Sequence, residues 1–336
     1  MNAIYILGIE TSCDDTCAAI IKDGNVLSNV VKSQYSHKKY GGIVPELASR
    51  EHLNNINKTV NEALKISNIN KKQLSAIAFT KGPGLIGPLL VGSMYAKGLS
   101  LGLKIPLIAV NHLKAHALAY GITNKLDFPF LSLLASGGNT QIVLVKSYNS
   151  FDLLGKTLDD AVGEAYDKIA KMLGIEYPGG PLIDKYSKDG DNKRFKFPKA
   201  NVGGLNFSFS GVKTAVKNFL NENTKSDENF IKNNLNDICA SVQKSLVGML
   251  LEKIELALSK IKVNAISIGG GVAANQYLRK RLKELAEDKK IKLFIPEKQF
   301  CTDNAAMIGY LGYLKFLDNS FADVNTSVDP NLKYQR

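Results

Sequence analysis

Of the four histidines in the 336-residue chain, two stand four residues apart, His112 and His116 in "NHLKAHALAY". If that stretch is helical, positions i and i+4 share a face, and both imidazoles can reach one ion. Two imidazoles leave a metal under-ligated, so a carboxylate from elsewhere must complete the set. Asp303 in "PEKQFCTDNAAMIGY" is the candidate, because it too follows an apolar strand-like run and precedes an apolar helical one. "TDN" also reads as a helix N-cap, which would use that carboxylate otherwise. Cys301 is a softer ligand, but a small thiol fits a core better. Two histidines and one carboxylate leave open coordination positions, which suits a catalytic or substrate-holding ion. H-x-x-x-H is also the spacing of zinc peptidases. Those need Glu directly after the first His as general base, and here Leu113 stands there.

Two glycine loops, "SGGNT" (136–140) and "GGGVAAN" (269–275), each follow an apolar run. Backbone N–H groups in such turns can approach phosphates closely. Neither is a Walker loop or G-x-G-x-x-G, so a P-loop kinase and a dinucleotide fold are disfavoured. Asp160, Glu164 and Asp167 share one helical stripe; for the first two a solvated face is the expectation. In "YPGGPLID" Gly179 and Gly180 permit close backbone approach, and Asp184 follows. Cys13 and Cys17 read as packing residues. The adjacent aspartates of "ETSCDDT" sit in a tight turn between apolar runs.

The elements that must position these residues alternate between strand and helix patterns, which means an α/β architecture. "IYILGI" and "CAAII" flank the aspartate turn, and "FLSLLA" and "QIVLV" flank "SGGNT". These two similar hairpins lie about 125 residues apart and hint at a duplicated fold. Leu53, Ile56, Val60 and Leu64 mark one face of a helix. "IPLIAV" (105–110) is a strand whose carboxyl end leads into the histidines, the place where ligands collect in open α/β sheets. "LNFSFSGVKTAVKNFL" (205–220) reads as a short strand and a helix, and "AISIGGGVAANQYLRKRLKEL" (265–285) as strand, loop and helix.

The length favours two domains of about 150 residues. No apolar run approaches the roughly 20 residues that span a bilayer, and no secretory signal pattern opens the chain. Four scattered cysteines do not make a disulfide framework, so a reducing, cytoplasmic setting is expected. A net charge of +12 points to a polyanionic partner, nucleic acid first. The cations cluster at 36–42, 188–199 and 278–294. The second cluster interleaves Phe195 and Phe197 with Lys and Arg, a pattern suited to backbone phosphates and stacked bases.

Taken together, "GIETSCDDT", "GGIVPELASREH", "GPGLIGPLLVG", "NHLKAH", "SGGNT", "GEAYDK", "YPGGP", "LNFSFSGVKTAV", "GGGVAANQYLR" and "FCTDNAAMIGY" resemble the bacterial TsaD family, tRNA N6-adenosine threonylcarbamoyltransferases once described as O-sialoglycoprotein endopeptidases. The resemblance runs from residue 8 to about 310. It implies the actin/Hsp70/sugar-kinase (ASKHA) fold, two ribonuclease-H-like lobes around a nucleotide cleft. The lobes would be 1–126, completed by C-terminal helices from about 303 to 336, and 127–302. The implied reaction moves a threonylcarbamoyl group from threonylcarbamoyl-AMP to N6 of the adenine beside the anticodon, in tRNAs reading codons that begin with A. The resemblance makes His112, His116 and Asp303 ligands of one divalent ion, usually Fe2+ and in some cases Zn2+ or Mg2+. It makes Leu134, Ala135, Ser136, Gly137, Gly138, Asp167, Gly180, Asp184 and Asn275 substrate-binding positions. It also implies a TsaB-like paralogue and a TsaE-like ATPase as partners. One position departs: the family usually has His after the paired glycines, and here Asn139 cannot titrate near neutral pH. Asp14 is our candidate for the group that takes the amine proton. The rival readings are a metallopeptidase, an ASKHA-type kinase or ATPase, and a non-catalytic tRNA-binding scaffold.

Overall fold

The computed structural model describes residues 3–199 and 202–334. The chain divides into two units, Met1–Leu126 with Ser147–Phe151 and Pro296–Arg336, and Asp127–Lys146 with Asp152–Ile295.

In the first unit, apolar runs punctuated by short polar turns form β1 (Tyr5–Glu10), β2 (Asp15–Lys22) and β3 (Asn25–Ser33). There follow α1 (Pro45–Ile66), β4 (Ala76–Gly82), α2 (Ile86–Leu103), β5 (Leu107–Asn111) and α3 (His112–Leu118). The sheet order is β3-β2-β1-β4-β5, with β1 antiparallel to β2 and parallel to β4. Leu7, Ile9, Ala18 and Ile20 pack against Ile56, Val60 and Leu64 of α1. Leu53, expected on that same face, is 68% exposed. At that turn the buried line runs through His52 instead, whose ring bonds Thr16 Oγ1 (2.8 Å) and the Cys13 carbonyl (2.9 Å).

The second unit holds β6 (Phe130–Ala135), β7 (Thr140–Val145), β8 (Phe151–Lys156), α4 (Val162–Met172), α5 (Gly179–Tyr186) and α6 (Ser210–Asn223). It continues through α7 (Phe230–Lys260), β9 (Ala265–Gly269), α8 (Gln276–Asp288) and β10 (Lys292–Phe294). Its order, β10-β9-β6-β7-β8, repeats the first sheet: a hairpin-forming strand sits antiparallel to one neighbour and parallel to the other. The short strand expected to open the 205–220 segment amounts to a single bridge, Thr157 to Phe207.

The final helix, α9 (Ala305–Leu317), belongs to the first unit and lies directly on β1. Gly8 makes that approach feasible, since a Cβ there would collide with the Ala305 carbonyl and the Gly309 backbone. This packing brings Asp303, two residues before α9, towards the end of β1. Among the described residues no helix is long and apolar enough to cross a membrane.

Candidate metal centre

The two histidines enter from the start of α3. Asn111 caps that helix, its side-chain oxygen accepting from the Lys114 N–H at 3.1 Å. One turn of helix then places the His112 and His116 rings edge to face, 4.6 Å between centroids. Asp303 Oδ1 lies 3.0 Å from His116 Nε2 and 3.5 Å from His112 Nε2. One ligand atom from each residue fits within 4.8 Å of the others, so the three could hold a metal ion. Asp303 is free for this because the neighbouring Asn304 caps α9, accepting from Met307 N at 3.0 Å. Cys301 takes no part in the cluster; its buried thiol donates to the Pro296 and Glu297 carbonyls.

The sequence reading missed Glu10, the last residue of β1. It is fully buried, and its Oε2 lies 2.8 Å from His112 Nδ1 and accepts from Thr80 Oγ1 at 2.6 Å. Its Oε1 accepts the Ser12 N–H. A carboxylate on the far nitrogen of a ligating histidine fixes the tautomer and the ring angle, leaving Nε2 for the ion. His116 Nδ1 is buried without a hydrogen-bond partner among the described residues. The donor set of two imidazoles and a carboxylate therefore fits a divalent ion.

The charges in the cluster set one another. Burial raises Asp303, but the adjacent imidazoles outweigh it and hold the carboxyl at about 2. Burial lowers His112, but Glu10 and Asp303 outweigh it and push the imidazolium up to about 9. His116 is lowered by burial and then by the charge on His112. Asp14, in the turn between β1 and β2, is raised by burial and then by Asp303. Its neighbour Asp15, the second of the adjacent aspartates, is raised by burial to about 7.

In the second unit the predicted residues also gather, at strand and helix ends. Leu134 and Ala135 close β6, and Ser136 N donates to the Asn139 carbonyl (2.8 Å) to form the glycine turn. A Cβ added at Gly137 or Gly138 would meet nothing within 4 Å, so protein packing does not demand glycine at either position. Asp167 Oδ1 accepts from Gly179 N (2.8 Å) and Gly180 N (3.3 Å), capping α5. Asp184 Oδ2 accepts from Gln276 N at 3.1 Å. Asn275 caps α8 through Leu278 N (2.8 Å) and donates to Gln243 Oε1 (2.6 Å). Asp160 is not on a solvated face: it is paired with Lys168 (2.6 Å) and Lys213 (2.7 Å).

Phe195 and Phe197 are not free stacking platforms. Both pack on Phe219, at 4.9 and 5.4 Å between centroids, and so pin the basic segment down. Arg194 is paired with Asp237 at 2.6 Å and Lys199 with Glu252, while Lys193 and Lys196 stay exposed.

A family model described as tRNA N6-adenosine threonylcarbamoyltransferase matches residues 25–310. A protein of that description from Christiangramia forsetii is 52% identical over 335 residues, covering 98% of each chain. Among solved structures, HypF from T. kodakarensis superposes with a TM-score of 0.62 at 15% identity, over 98% of this chain and 50% of its own. A ROK hexokinase from Thermus thermophilus gives 0.52 at 13%, over 94% and 100%. At these identities the structures speak to fold alone, and the fold they share with this chain is of the ASKHA type.

Proposed function

The chain belongs to the TsaD family of tRNA N6-adenosine threonylcarbamoyltransferases, and from that premise we propose that it transfers a threonylcarbamoyl group from threonylcarbamoyl-AMP to N6 of the tRNA adenine beside the anticodon. The observation that carries this reading is the convergence of His112, His116 and Asp303 on one point, with Glu10 bracing the first of them.

The chemical difficulty lies in the nucleophile, because the lone pair of the exocyclic amine is delocalised into the adenine ring. The N6–carbon bond forms as the carbon–oxygen bond to AMP breaks, and one amine proton must leave. A divalent ion bound by His112, His116 and Asp303, iron in our reading with zinc or magnesium as alternatives, would offset charge developing on the carbamoyl and phosphate oxygens. Asp14 takes the proton; burial and then the nearby Asp303 charge raise its proton affinity, which favours a base. Backbone groups from Leu134 to Gly138 hold the nucleotide part, where the open space at Gly137 and Gly138 admits a ligand. Asp167, Gly180, Asp184 and Asn275 position the adenosine and the threonine end.

The positive charge docks the RNA backbone, with Lys193 and Lys196 as exposed contributors. A TsaB-like partner finds an apolar face on α1 and α2, where Leu53, Ile66, Leu90, Met94 and Leu101 are exposed. A TsaE-like ATPase and a cytoplasmic setting complete the reading. The peptidase alternative lacks its base: Leu113 is buried, and both Glu10 oxygens are committed inside the protein.

The test supplies threonylcarbamoyl-AMP and unmodified tRNA, then looks for the modified nucleoside by mass spectrometry. His116→Ala should lose bound metal and 100- to 1000-fold in rate, about 2.7–4 kcal/mol. Near-normal transfer by a metal-free His116→Ala protein would refute the role given to the triad.

A further inference from the structure

A second concentration of charge lies in the first unit, apart from the metal ligands. Lys81 near the end of β4, Lys114 on α3, Lys315 on α9 and Lys333 in the C-terminal segment line one cavity of about 310 Å³ with Asn111 and Tyr148. Lys114 sits midway between His112 and His116 in sequence, so it points away from their face of the helix. Lys81, Lys114 and Lys315 are half-buried. Lys315 Nζ donates to the Ala109 carbonyl at 2.7 Å, and Lys114 Nζ to the Asn149 carbonyl at 3.1 Å. A neutral carbonyl holds the Lys315 ammonium in place without cancelling its charge. Lys81, Lys315 and Lys333 have no carboxylate within salt-bridge distance among the described residues. Tyr148, on the cavity lining, donates its hydroxyl to Asp318.

Like charges gathered in a recess repel one another, and burial adds a desolvation cost. Lys315 shows both: its proton affinity is lowered by burial, then by Lys114 and Lys81. A solvated lysine face would spread its side chains into water, whereas here they converge on a concavity large enough for a phosphate group with its hydration. Lysine is a point-charge phosphate ligand.

We propose that this cavity is a phosphate-binding site, distinct from the metal centre, in which Lys81, Lys315 and Lys333 bind the oxyanion beside Lys114. The phosphate comes either from a small molecule or from the backbone of the tRNA. The RNA source rests on the reaction proposed above; the small-molecule source does not.

The experiment compares the purified full chain with Lys81→Gln/Lys315→Gln, in which glutamine keeps a donor for the Ala109 carbonyl. Thermal unfolding is followed in inorganic phosphate, in pyrophosphate and in chloride at matched ionic strength. Binding of unmodified tRNA is followed against salt. A small-phosphate site raises the wild-type midpoint over chloride by roughly 2–4 °C, and the variant shows no such rise. An RNA site instead weakens tRNA binding in the variant and makes its log–log salt slope shallower by about 0.7–0.9 per lysine removed. Lys333→Gln, at an exposed position, should repeat the effect in part and guards against misfolding of the double variant. Equal responses of wild type and variants in both assays would overturn the proposal. Neither assay reads transfer, so a chain that binds phosphate through these lysines but makes no modified nucleoside would refute the proposed reaction and leave this site standing.

Discussion

The two candidate sites are made of different materials. In the first unit the chemistry resides in side chains: Glu10, His112, His116 and Asp303 form a buried cluster in which each group sets the protonation of the next. In the second unit it resides in the backbone: open space at Gly137 and Gly138, and carboxylates already bonded to the N–H groups of α5 and α8. The first site should therefore answer to changes of charge and the second to changes of shape.

The sharpest probe of the first site after the ligands themselves is Glu10→Gln. Losing a carboxylate behind a ligating histidine typically costs 10- to 100-fold in metal affinity. The sign depends on pH. In the metal-free protein His112 holds its proton up to about 9, so the ion must displace that proton at lower pH. Wild-type affinity should therefore rise about tenfold per pH unit between 7 and 8.5 and level off above 9. Without Glu10 the imidazole gives up its proton more easily, so the variant's curve flattens. The full deficit appears above pH 9 and narrows towards pH 7. Cobalt(II) titrations across that range would check it, and parallel slopes for the two proteins would separate Glu10 from His112.

Two alanine substitutions bring the contrast into the second unit. Gly163→Ala places a Cβ 2.6 Å from the Ser136 carbonyl, an overpacking that should cost about 1–3 kcal/mol of stability. Gly138→Ala meets only open space, so stability should hold while nucleotide affinity falls about tenfold. Urea unfolding and AMP binding, measured on both, would show whether the loop is shaped for packing or for a ligand. Unchanged AMP binding in Gly138→Ala would remove the second site from the proposal.

What the sequence revealed followed from which information is local. The His112–His116 pair was legible because both partners of an i, i+4 relation are written side by side. Asp303 was legible only as one of two uses for "TDN"; the choice was made by Asn304, whose side chain took the cap. Glu10 was not legible. Its partner is 102 residues away, and a strand-end glutamate names no partner. A carboxylate closing the apolar run "IYILGIE" is the signal that could have found it, since a buried charge needs compensation. The repeated hairpins foretold two similar sheets because period-two patterning and turn residues are local too. Phe195 and Phe197 misled because their alternation with cations is equally a way of anchoring a solvated segment, and the deciding contact, Phe219, lies on α6.

The smallest expected effect concerns Asn275, where a structural and a ligand-binding role predict different rescues. Its side chain caps α8 and holds Gln243 in a buried pair. Asn275→Ala should lower stability by about 1 kcal/mol for the cap, with a further cost of order 1 kcal/mol for the unpaired Gln243 carbonyl. Asn275→Asp restores an acceptor for Leu278 N and adds a negative charge at a helix N-terminus, where it is favourable. The Gln243 amide can turn its NH2 from Ser187 Oγ towards that carboxylate, its oxygen then accepting from the Ser187 hydroxyl. Stability should therefore return in Asn275→Asp. If Asn275 only shapes α8, substrate affinity returns with it. If its amide also donates to the bound adenosine, affinity stays low in a protein as stable as wild type. Urea midpoints and AMP binding measured together on the two variants distinguish the cases, and a stable Asn275→Asp protein with wild-type affinity would leave the residue to the helix alone.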